Sequence, residues 1–76
     1  MEIKVLGTGC SKCKALEQSV REVVAEMNID ATVEKVENLI EIMNFNVISM
    51  PGLVVDGKVV SSGKKLSKSE ITALLR

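Results

Sequence analysis

Gly9-Cys10-Ser11-Lys12-Cys13 is the stretch on which the fold of this chain turns, because two local patterns meet there. Before it, Glu2 to Leu6 reads as a short strand closed by Gly7-Thr8-Gly9. After it, Cys13, Leu16, Val20, Val23, Val24 and Met27 recur at spacings of three and four. Those spacings describe one face of an amphipathic helix from about Ser11 to Asn28, with Glu17, Arg21, Glu22 and Glu26 largely on the other. The cysteines therefore sit at a strand-to-helix turn. A thiol at a helix entrance faces unpaired backbone N–H groups and the positive end of the dipole, and both favour thiolate. Lys12 and Lys14 add positive charge, and Lys12 is read as a residue that tunes the thiol. Free Cys titrates near ~8.5, and comparable surroundings lower that to roughly 3.5–7.5. Cys10 is expected to be the acidic, attacking thiol. Cys13, one turn on and on the apolar face, is expected to be buried, less acidic and the resolving partner.

Two absences narrow the chemistry. The chain has no His, which excludes Cys–His and Ser–His nucleophile pairs. It has two Cys, too few for the four ligands of a structural zinc site. The ring closed by a Cys10–Cys13 bond is too small for loop-closure entropy to stabilise the fold much, which argues against a structural staple. Cys-x-x-Cys near a βαβ pattern reads instead as a dithiol redox motif. No cofactor and no metal are expected.

The 76 residues suffice for one domain, read as residues 1–76. Phe45 is the only aromatic although 46% of the chain is hydrophobic, so the core must be built of Val, Ile, Leu and Met. Ten basic residues balance ten acidic ones, which leaves no electrostatic footprint for nucleic acid or an anionic membrane. No apolar run approaches the ~20 residues of a membrane span. The first six residues alternate charge with hydrophobe and are too short in apolar run for a signal peptide. A cytoplasmic location is the resulting expectation. A monomer is expected too, on the ground that no apolar stripe is left over once the sheet faces are covered.

Further along, Ala31 to Val36 suits a strand exposed on one face or lying at an edge. Asn38 and Glu41 have capping-box spacing and open a short helix, with Leu39, Ile40, Ile42 and Met43 expected on its buried side. Phe45 is expected to be a core anchor. Asp56-Gly57 between Gly52-Leu53-Val54-Val55 and Lys58-Val59-Val60-Ser61 fits a two-residue type I′ hairpin, whose turn residues both need positive φ. Ser67-Lys68-Ser69-Glu70 is a second capping box, opening a helix with Ile71, Leu74 and Leu75 on one face. The order is β-α-β-α-β-β-α, an α/β fold with a four-stranded mixed sheet flanked by helices. Its βαβ start demands a parallel pair, and the hairpin adds antiparallel strands.

With the cysteine pair and Met50-Pro51-Gly52-Leu53-Val54-Val55-Asp56-Gly57-Lys58-Val59-Val60 both in place, the chain resembles the thioredoxin superfamily. It is most similar to the small, glutaredoxin-sized, thioredoxin-like redox-active disulfide proteins of archaea and bacteria. The resemblance covers nearly the whole chain, from the cysteines through the Pro before the third strand, the hairpin and Gly63 to the closing helix. It implies a thioredoxin-like fold and a protein dithiol–disulfide oxidoreductase. It also implies a cis Met50–Pro51 bond beside the cysteines, with Met50 and Pro51 meeting the bound polypeptide. The implied partners are disulfide-containing proteins and an NAD(P)H-linked disulfide reductase such as a thioredoxin reductase.

The chain departs from the family pattern at several points. Gly9 stands where thioredoxins carry Trp, and Ser11-Lys12 replaces their Gly-Pro and the Pro-Tyr of glutaredoxins. The strand approaching the motif offers Lys4, not the buried Asp of thioredoxins, so the resolving proton would pass to water or to the substrate thiol. Gly63-Lys64-Lys65 lacks the acidic residue that often meets glutathione's amino end in glutaredoxins. Redox potential, direction, electron donor and use of glutathione are thus left open. Two rivals stand beside this reading. The run Gly7-Thr8-Gly9-Cys10-Ser11-Lys12-Cys13 is also similar to the Gly-x-x-Cys-x-x-Cys loop of heavy-metal-associated domains, whose paired thiolates suit Cu(I). Those domains run β-α-β-β-α-β, whereas this chain closes on a capped helix. A docking module with incidental thiols is the third reading.

Overall fold

The alternation of side chains along residues 2–6 makes one of the two inner strands of the sheet. In the computed structural model, which describes residues 1–9, 11–47, 49–63 and 66–75, the elements are β1 (Glu2–Leu6), α1 (Ser11–Met27), β2 (Thr32–Val36), α2 (Leu39–Asn44), β3 (Gly52–Val55), β4 (Lys58–Ser62) and α3 (Lys68–Leu75). The strand order is β2-β1-β3-β4. β1 runs parallel to β2 and antiparallel to β3, and β4 closes the sheet antiparallel to β3. Both outer strands carry charged residues, among them Glu34, Lys35 and Lys58, which discourages edge-to-edge pairing.

Two apolar layers follow from the pleat. On one face Ile3, Val5 and Leu53 pack with Leu16, Val20 and Val23 of α1 and with Ile71 and Leu75 of α3. On the other, Leu6, Val36 and Val54 pack with Ile42 of α2 and with Val47. The turn at Asp56 (φ 50) and Gly57 (φ 81) has both residues at positive φ, as a type I′ hairpin requires. Asp56 also accepts the Glu2 N–H at 2.8 Å and returns its own N–H to the Glu2 carbonyl at 2.7 Å, which ties the hairpin tip to β1. Within the hairpin, Leu53 faces Ser61 while Val54 faces Val59, so Val60 is an extra residue that sequence patterning does not reveal.

The caps behave as their spacing implies. Asn38 Oδ1 accepts from the N–H groups of Ile40 and Glu41 at 2.9 and 3.2 Å. Ser67 and Glu70 satisfy each other's backbone N–H groups reciprocally at 3.3 and 3.1 Å. Asn28 ends α1 in the left-handed region at φ 53. Among the described residues, no helix is long and apolar enough to cross a membrane.

α2 corrects the sequence reading. Of its four apolar residues only Ile42 is buried, while Leu39, Ile40 and Met43 are 54, 71 and 63% exposed. A six-residue helix makes under two turns, and here a single side chain reaches the sheet. The premise that no apolar stripe is left over therefore fails at α2. Phe45 is likewise half-buried at the rim of the second layer rather than central, with Lys4 Nζ 5.6 Å from its ring centroid.

α1 and α3 are joined at the surface by Lys68, which meets Glu26 at 2.7 Å and Glu22 at 3.0 Å. Hydrogen bonding from Lys68, then from Gln18, holds the Glu22 carboxyl below its ordinary value. The hydrogen bonds to Glu26, then Glu22, raise the Lys68 ammonium. A depressed carboxyl stabilises above its unfolded pKa and loses that contribution as pH falls through the folded one. A raised ammonium stabilises below its unfolded pKa and loses it as pH rises through the folded one. The cluster thus acts between about pH 4 and about pH 10. Lys68→Met is expected to lower the thermal midpoint at pH 7, with the difference from the parent closing near pH 2–3 and in ~1 M salt, where screening reaches ~3 Å. Ile42→Ala is expected to cost about 2–5 kcal/mol in urea unfolding, and Ile40→Ala less than about 0.5 kcal/mol.

Candidate dithiol site

The site is assembled where β1 ends. Leu6 pairs with Val36 on one side and with Gly52 on the other. Gly7 carries the ladder one step further, donating its N–H to the Val36 carbonyl at 3.0 Å. Thr8 and Gly9, the latter at φ +87, then turn the chain toward α1, which begins at Ser11. Cys10, Lys64 and Lys65, which the sequence reading singled out, lie outside the described residues.

Cys13 is on the inner face of the first turn of α1 and only 4% exposed. It is disulfide-bonded, and no cysteine among the described residues is free. Lys12 and Lys14 are exposed, and the first turn holds no acidic residue, so this helix end is cationic.

Sheet register brings the Pro51 loop to the same place. Because Leu6 faces Gly52 in an antiparallel pair, the next positions outward set Gly7 beside Pro51 and Thr8 beside Met50. The side chains agree, since the Thr8 hydroxyl approaches the Met50 thioether at 3.7 Å. A thioether is a weak acceptor, so the contact aligns the two loops more than it binds them. The Met50–Pro51 peptide is cis, Pro51 is buried, and its carbonyl accepts the Gly63 N–H at 2.8 Å. Cys13, Met50 and Pro51 thus gather at one end of the sheet, and Lys12 stands exposed on the helix above.

One acidic neighbour escaped the sequence reading. Glu37 follows β2, and its Oε2 lies 3.4 Å from where a Cβ on Gly9 would be, while Oε1 pairs with Lys35 at 3.7 Å. The signal was present in the topology. In a parallel pair the C-terminal ends of β1 and β2 lie together, so the residue after β2 must border the loop after β1. Lys4, by contrast, is engaged with Glu2 at 3.4 Å and with the Phe45 ring. Glu37 thus sets an exposed carboxylate beside Gly9.

Comparison with known proteins agrees with this geometry. A family model described as "Thioredoxin domain" matches residues 1–76. The chain is 41% identical over 75 residues to a protein named thioredoxin from Methanothermobacter thermautotrophicus, covering 99% of this chain and 97% of that one. It is 38% identical over 74 residues to a thioredoxin from Methanocaldococcus jannaschii, covering 97% of this chain and 85% of that one. With a family match that spans every residue and a four-stranded mixed sheet flanked by helices, the chain belongs to the thioredoxin domain family.

Proposed function

We propose that this chain is a protein dithiol–disulfide oxidoreductase in which Cys10 and Cys13 form the redox pair. The observation that carries the reading is the state of Cys13. It is disulfide-bonded in a chain with one other cysteine, and it sits beside the Pro51 loop at the cationic start of α1. Relatives named thioredoxin, aligned over nearly the full length, support the same chemistry.

The Cys10 thiolate attacks one sulfur of a substrate disulfide. A Cys10–substrate S–S bond forms as the substrate bond breaks, and the departing sulfur leaves as a thiolate that takes a proton from water. Cys13, giving up its proton to water or to a substrate thiolate, then attacks the Cys10 sulfur. The Cys10–Cys13 bond forms, the bond to substrate breaks, and the second substrate sulfur leaves as a thiolate. The substrate gains two electrons and the chain loses two, which an NAD(P)H-linked disulfide reductase returns. Burial of Cys13 suits the resolving role, because a shielded sulfur does not compete for the incoming disulfide. Lys12 favours the Cys10 thiolate, and Met50 and Pro51 border the substrate polypeptide. The chain works as one domain in the cytoplasm. The β3–β4 hairpin follows helix α2, whereas in the β-α-β-β-α-β order of Cu(I)-carrying domains the adjacent middle strands precede the second helix.

Dithiothreitol-driven reduction of insulin disulfides tests the reading. The parent is expected to exceed the reductant alone, Cys10→Ser to fall to that background, and Cys13→Ser to accumulate a mixed disulfide visible by mass. Full turnover in Cys10→Ser, or none in the parent, would end the proposal.

A further inference from the structure

Gly7 is buried at the end of β1, and its φ lies outside the left-handed region that favours glycine. Backbone conformation therefore does not demand glycine there. Space does. A Cβ on Gly7 would fall on the Cys13 Sγ and lie 2.8 Å from the Cys13 Cβ. Neither backbone has room to withdraw. Gly7 is held by its N–H bond to the Val36 carbonyl, directly after a residue paired on both sides. Cys13 is held on a helix whose Leu16, Val20 and Val23 are packed into the sheet.

We infer that Gly7 is the positioning residue for Cys13, its missing side chain forming the seat of the Cys13 sulfur in the disulfide state. The inference rests on the dithiol reading above. Its direction follows from which atom is nearest. The sulfur, more than the Cβ, occupies the space a methyl would take. In the oxidised chain that sulfur is tied in place. In the dithiol no S–S bond fixes the torsion about its Cα–Cβ bond, and the sulfur can take another staggered position. A methyl at residue 7 therefore penalises the oxidised form more than the reduced form.

The experiment is redox equilibration of the parent and Gly7→Ala in graded mixtures of reduced and oxidised dithiothreitol, quenched by alkylation and read by mass. The expected result is a shift of about tenfold or more toward the dithiol in Gly7→Ala, equivalent to a potential about 30 mV less negative for a two-electron couple. An unchanged equilibrium constant, with oxidised and reduced forms losing thermal stability alike, would overturn the inference and leave the dithiol reading intact. A parent with no reversible dithiol–disulfide couple would overturn both, so the two failures are distinguishable. Should Gly7→Ala not fold, Gly7→Ala/Cys13→Gly restores the space on the other side of the contact. Recovery of the circular dichroism spectrum in that double variant supports the seat, and failure to recover, when Cys13→Gly alone folds, overturns it.

Discussion

Everything near Cys13 depends on β1 being hydrogen-bonded on both edges. Its last residue, Leu6, is wholly buried and paired with Val36 and Gly52 at once, so the end of β1 cannot slide or tilt. From that fixed end three contacts follow. Gly7 meets the first turn of α1, Pro51 comes alongside from β3, and Glu37 arrives at the top of β2. A one-residue slip in either pairing would turn every side chain of that strand to the opposite face. The site's precision is thus a property of the sheet, and the loops inherit it.

The rest of the molecule serves to hold that sheet with few resources. A small domain retains only about 5–15 kcal/mol of net stability, and this one must find it without an aromatic centre. β-Branched side chains on the strands and Leu, Ile and Val on α1 and α3 interlock on one face. The opposite face is thinner, with Ile42 as the one buried residue of α2 and Phe45 half-covered at the rim. Exposed Leu39, Ile40 and Met43 are the consequence of covering a sheet face with under two turns of helix.

Electrostatically, the site sets a cationic helix start, with exposed Lys12 and Lys14, against a single carboxylate from Glu37. All three charges are solvent-exposed, which keeps each effect modest and open to screening. The missing side chain at Gly7 acts differently. It works through contact with a buried atom, and contact is not screened.

The sequence by itself determined the element order, the two capped helices and the type I′ turn. Each depends on residues within about ten positions of one another, and local spacing carries that information. It also placed Cys13 on a buried face, because helical periodicity says which way a residue points. Three matters were decided only by tertiary structure. Burial of α2 was misread because its apolar count says nothing about how much of a six-residue helix can touch a sheet. Glu37 was missed because its neighbour, Gly9, is 28 positions away and meets it only through the parallel register of β1 and β2. The need for glycine at residue 7 was invisible because it comes from a contact across two elements, not from a turn. Chain-local rules describe what a residue can adopt; packing alone decides what it must leave room for.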